Sequence, residues 1–129
     1  MRALIIDDNQ SVRTFVARVL MDAGFEITPA RDGIQAQQIV LKHGAPDLVV
    51  TDESMPRMSG HEFAHWVRTT CPGVKVLFFS GYADALRRAA LDAGSDVGYL
   101  EKPCSMSKLL QAVALLTGLS EPPYVQSAR

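Results

Sequence analysis

The stretch Ala3-Leu4-Ile5-Ile6-Asp7-Asp8-Asn9 decides the fold. Its four consecutive apolar side chains fill both faces of a strand, which demands helices above and below it, the situation of a strand inside a parallel sheet. Two carboxylates then stop the run. Asn9 can cap a helix in which Val12, Phe15, Val16, Val19, Leu20 and Ala23 recur at three- and four-residue spacing, with Gly24 as the left-handed residue that ends it.

Outward from this unit, the same alternation continues. A second strand over 25–30 carries Pro29, which cannot donate a ladder hydrogen bond and so belongs at the sheet's edge. Further strands are expected over 47–51, 74–79 and 97–100, each closing at a polar residue. Between them lie a helix over 34–42 and one with Phe63, Trp66 and Val67 on its apolar face that runs to Thr70. An alanine-rich helix follows over 83–93, and Ser105 caps a last one whose Leu109, Leu110, Val113 and Leu116 form a core-facing stripe. Strict strand and helix alternation predicts an α/β fold, a doubly wound five-stranded parallel sheet with five helices. The domain is expected over residues 1–118, and residues 119–129, which include Pro122-Pro123, read as a flexible tail.

The whole chain has 129 residues, enough for one core. Lysine plus arginine number 13 against 14 acids, a net charge of −1, and no basic cluster is available to follow a phosphate backbone, so nucleic acid is not an expected direct partner. No apolar run approaches the roughly 18 residues that span a bilayer. Met1 and Arg2 pass directly into strand pattern with no leader, from which a cytoplasmic location is expected. Cys71 and Cys104 lack metal-site spacing and fall at opposite ends of the sheet, so reduced thiols are expected.

In parallel β-α-β topology the residues after the strands' carboxyl ends gather along one edge, where ligands bind. That edge receives Asp7, Asp8, Asp52, Ser80 and Lys102. Three neighbouring carboxylates repel one another and call for a cation. Magnesium suits them, because it takes hard oxygen ligands and keeps waters that phosphate oxygens can replace. A carboxylate can also act as a nucleophile by forming an aspartyl phosphate, and Asp52, alone after a central strand, is the best placed to do so. Lys102 and Ser80 would then contact the phosphoryl oxygens.

These residues resemble the receiver domains of two-component response regulators. The resemblance covers residues 2 to about 117 and rests on Asp7-Asp8, the Asp52-x-x-Met55-Pro56-x-Met58-x-Gly60 segment, Ser80-Gly81 and Tyr99-x-x-Lys102-Pro103. It implies a flavodoxin-like strand order 2-1-3-4-5. It implies further that Asp52 accepts a phosphoryl group from a phosphohistidine of a sensor histidine kinase or histidine phosphotransfer protein. Asp8, Asp52 and the backbone carbonyl of Ser54 would bind Mg2+, with Asp7 assisting through water. Ser80 and Lys102 would hold the phosphoryl group, Gly81 would leave access to it, and Tyr99 would be an aromatic switch that alters the binding of a downstream protein. The Lys102-Pro103 peptide would be cis. Cys104 departs from the Phe usual after Lys-Pro, and Ser54 and Tyr82 occupy variable positions that tune phosphoryl lifetime. A domain of this kind is a signalling phosphoacceptor with intrinsic hydrolysis of its phosphate, either free-standing or part of a larger protein such as a hybrid kinase.

Other readings remain beside this one. Asp7 and Asp8 could simply cap the first helix. An aspartate-nucleophile phosphohydrolase would use similar chemistry, but needs a second acid where Ser54 stands, and cap elements. A flavodoxin-like electron carrier would want phosphate-binding amides where Asp7-Asp8 would repel the phosphate. His61 and His65 are four residues apart on a helix, without a third metal ligand nearby.

Overall fold

The computed structural model of the chain describes residues 1–81 and 96–118. The helix expected over 83–93, Tyr82 and the tail over 119–129 lie outside the described residues. Within them the order is β1 (Arg2–Ile6), α1 (Gln10–Asp22), β2 (Glu26–Ala30), α2 (Gly33–His43), β3 (Leu48–Thr51), α3 (Gly60–Thr70), β4 (Lys75–Ser80), β5 (Val97–Glu101) and α4 (Met106–Thr117). The strands form one sheet in the order β2-β1-β3-β4-β5, and every neighbouring pair is parallel. Pro29 therefore sits on an edge strand, as its missing N–H requires.

The run that opened the sequence behaves as a strand covered on both faces. Ala3 and Ile5 point into a core shared with Val16, Leu20, Leu109 and Val113 of α1 and α4. Leu4 and Ile6 point the other way, into a core shared with Ala36, Val40, Phe63 and Val67 of α2 and α3. Alternate residues of β3 and β4 divide between the same two cores. Each large apolar side chain fully buried there contributes roughly 1.5–3 kcal/mol relative to exposure. Trp66 is half-buried against the second core, its ring centroid 5.8 Å from that of Phe63.

Helix boundaries follow the caps. The Asn9 side chain accepts the Val12 N–H at 3.1 Å, and Ser105 accepts the Lys108 N–H at 3.1 Å. Ser59 and Glu62 form a reciprocal capping box at the start of α3. Gly24 has φ +96°, the left-handed residue expected after α1. One cap had not been anticipated: Asp32 accepts the Gln35 N–H at 2.8 Å and starts α2 at Gly33. Cys71 packs against one core and Cys104 against the other, both with free thiols.

Candidate functional site

Asp7, Asp52 and Lys102 each follow directly on a strand, and each is fixed by a backbone hydrogen bond that extends the ladder one step beyond it. The Asp7 N–H donates to the Ala30 carbonyl at 3.2 Å, Asp52 N–H to Ile6 at 3.0 Å, and Lys102 N–H to Ser80 at 3.0 Å. β1, β3 and β5 thus deliver two carboxylates and an ammonium to one edge, and β4 ends there in Ser80, which is fully buried.

Carboxylate oxygens of Asp7, Asp8 and Asp52 all lie within 4.8 Å of one another. Asp7 and Asp52 are buried, whereas Asp8 is exposed. Lys102 Nζ stands between the two buried acids, 2.8 Å from Asp7 Oδ2 and 3.5 Å from Asp52 Oδ2. It also lies 5.6 Å from the centroid of the Phe79 ring, over its face. Burial pushes the Asp52 carboxyl above its ordinary value, Lys102 opposes the rise, and the Asp7 charge adds to it. Hard oxygen donors this close, one of them open to solvent, fit a small divalent cation. The capping reading of Asp7 is also partly right, since its Oδ1 accepts the Asn9 N–H at 2.9 Å. One group of atoms serves both the helix turn and the cluster.

Of the remaining expected site residues, Ser54 and Gly81 follow β3 and β4 at the same edge, while Tyr99 lies in the middle of β5. Ser54 is exposed in the loop after β3, two residues beyond Asp52. A Cβ built on the exposed Gly81 would meet nothing within 4 Å among the described residues. Tyr99, half-buried, stacks on Phe78 with centroids 5.5 Å apart and an interplanar angle of 8°. The Lys102-Pro103 peptide is cis. His61 and His65 lie on α3 and line a cavity with Phe78 and Tyr99, and the one potential metal cluster among the described residues is the three aspartates.

Three features escaped the sequence reading. Arg13 Nη1 donates to the Asp7 carbonyl at 2.6 Å. Arg57 pairs with Asp32 at 2.6 Å. Gly60 lies so close to the Asp52 backbone that a Cβ there would sit 2.0 Å from the Asp52 carbonyl oxygen. Only the last had a signal, the glycine itself.

Fold and site together define a flavodoxin-like domain with a cluster of three carboxylates and a lysine at the carboxyl edge of its sheet. A family model described as the response regulator receiver domain matches residues 3–114. Sensor kinase CckA of Brucella abortus is 34% identical over 85% of this chain and 12% of its own length. Response regulator MprA of Mycobacterium leprae is 34% identical over 95% of this chain and 53% of its own. The chain thus spans about an eighth of the first relative and about half of the second. A crystal structure of response regulator TrrA from Thermotoga maritima, in complex with Mg2+ and BeF, superposes with a TM-score of 0.78 at 28% identity, covering 89% of this chain and 97% of that one. The chain belongs to the receiver domains of two-component response regulators, which are signalling phosphoacceptors. No helix among the described residues is long and apolar enough to cross a membrane.

Proposed function

We propose that Asp52 is the phosphoacceptor of this receiver domain and takes its phosphoryl group from a phosphohistidine of a sensor histidine kinase or histidine phosphotransfer protein. The observation that carries the reading is Lys102 Nζ poised between two buried carboxylates that crowd a third. An Asp52 carboxylate oxygen attacks phosphorus as the P–N bond breaks, and the bond's electron pair returns to the imidazole of the donor. Lys102 leaves Asp7 for a phosphoryl oxygen, and the Ser80 hydroxyl donates to another. Asp8, Asp52 and the Ser54 carbonyl would hold Mg2+, with Asp7 acting through water. The bound ion would neutralise charge on the transferring oxygens. Gly81 leaves room for the donor. Hydrolysis of the acyl phosphate resets the domain.

Beside the site, Val12, Phe15, Phe79, Pro103 and Cys104 line an apolar groove that continues from Lys102, a surface on which the donor protein can rest. The domain proper comprises residues 1–118 and acts in the cytoplasm, free-standing or within a larger protein. Readout passes through Ser80 and Tyr99. A hydroxyl drawn toward the phosphoryl group vacates space into which Tyr99 turns, and this shifts a two-state equilibrium in the adjoining segment that a downstream protein reads.

Incubation with acetyl phosphate and magnesium followed by mass spectrometry tests the assignment. One phosphoryl group should map to Asp52 and depend on the metal. Unchanged labelling of Asp52→Asn would refute it.

A further inference from the structure

The loop between β3 and α3, residues 53–59, carries the Ser54 carbonyl, yet no ladder hydrogen bond holds its middle. At its apex the Met58 N–H donates to the Pro56 carbonyl at 2.8 Å, two residues back. A bond of that span makes a γ-turn, and its central residue, Arg57, has φ +70°. The positive-φ form of this turn is rare and strained, and Arg57 is the only non-glycine among the described residues with a positive φ. Strain of this kind persists only where surrounding contacts over-determine the backbone.

Two contacts do so here, and both rest on the start of α2. Arg57 Nη2 donates to Asp32 Oδ2 at 2.6 Å. The Met58 side chain fills the space beside Gly33, where an added Cβ would come within 2.8 Å of its Cγ and Sδ. Asp32 is a firm anchor because it divides its oxygens. Oδ1 caps α2 through the Gln35 N–H at 2.8 Å, and Oδ2 is left for Arg57. Gln35 returns the favour through its Oε1, which accepts the Arg31 N–H at 2.7 Å. The carboxylate is buried, while the Arg57 side chain is 61% exposed. The loop is therefore held at two points. Gly60 fixes its end against the Asp52 backbone, and Arg57 fixes its apex to the start of α2.

From this geometry we infer that Asp32 and Arg57 are positioning residues, which hold the loop so that the Ser54 carbonyl faces the cation position beside Asp52. The inference rests on the proposed reading of the acidic site. Neither residue touches the reacting atoms. Groups that orient a ligand from behind typically change metal affinity by about 10- to 100-fold when removed. The loop carbonyl is one ligand of several, so the lower end applies.

The test is calorimetric titration of the full chain with magnesium chloride, paired with thermal unfolding in the absence of the metal. Asp32→Asn keeps the helix cap, because asparagine caps as well as aspartate, but removes the charge that holds Arg57. Arg57→Gly removes the same clamp while relieving the backbone strain. Both should bind Mg2+ about tenfold more weakly than the wild type while melting within a few degrees of it. Arg57→Lys keeps a cation at the position and should recover most of the affinity. Wild-type affinity in both clamp-free variants would overturn the inference. So would a large fall in melting temperature in both, which would make the pair a stabilising contact alone. A wild-type chain that binds no magnesium would instead remove the reading of the acidic site on which the clamp depends.

Discussion

Replacing Gly60 by alanine places a methyl carbon 2.0 Å from the Asp52 carbonyl oxygen. That oxygen belongs to backbone at the end of a central strand and cannot swing aside, so α3 or the strand end must retreat by about 1 Å or more to restore normal contact. Overpacking of this kind costs typically about 1–3 kcal/mol. The retreat also weakens the bond from the Gly60 N–H to the Glu53 carbonyl, 2.9 Å in the native chain, for about 1 kcal/mol more. Alanine's better helix propensity at the first position of α3 returns at most about 1 kcal/mol. The clash wins, with a net loss of about 2–3 kcal/mol. For a domain of this length that corresponds to a fall in melting temperature of about 10 °C. Thermal unfolding followed by circular dichroism measures it, and acetyl phosphate labelling of the same sample should slow because Asp52 moves with its carbonyl. Gly33→Ala gives a second measure: its new methyl comes within 2.9 Å of Met58 Cγ, Sδ and Cβ, the last fixed to the loop backbone, and about 1–3 kcal/mol should be lost. A Gly60→Ala protein that melts within 2 °C of the wild type and is labelled at the native rate would refute the reasoning.

Lys102→Ala should fold, since its side chain is partly exposed and lies outside both apolar cores, but phosphorylation by acetyl phosphate should fall by at least about 10²-fold, as for loss of one preorganised charge contact. Native labelling rates in that variant would remove the lysine from the reaction. At Asp32, burial raises the carboxyl, but the Gln35 N–H and the Arg57 guanidinium outweigh it and hold it below the ordinary value of 3.8. A carboxyl lowered on folding contributes stability above the unfolded value that disappears as pH falls through the folded one. The small melting difference between wild type and Asp32→Asn should therefore be complete at neutral pH and vanish in strong acid, and a difference that grew on acidification would contradict the pairing. Cys71 and Cys104, packed on opposite faces of the sheet, should remain unpaired under oxidising conditions in a non-reducing peptide map.

The fold was legible because the middles of β1, β3 and β4 are buried on both faces and are apolar at consecutive positions, while Pro29 marked the edge. The acidic site was legible for a related reason. In a parallel sheet the residue after each strand has a known destination, so Asp7, Asp52, Ser80 and Lys102 could be brought together by topology alone. The clamp was not, because nothing in the residue types at 32 and 57 fixes a pairing across 25 positions. Arg57 in particular gave no hint of its backbone, since φ > 0 is expected of glycine or asparagine. Asp32 could have been read as a cap from the residues that follow it, but its second oxygen is a matter of tertiary placement.

Asp7, Asp52 and Lys102 owe their places to the last rungs of the ladder, not to the loops that continue from them. Their amide protons should accordingly exchange with solvent as slowly as those of the central strands, by near-global opening of the domain. Outside the 53–59 loop, changes in the segments beyond them can then reshape the surface that meets partners without carrying these three charges along.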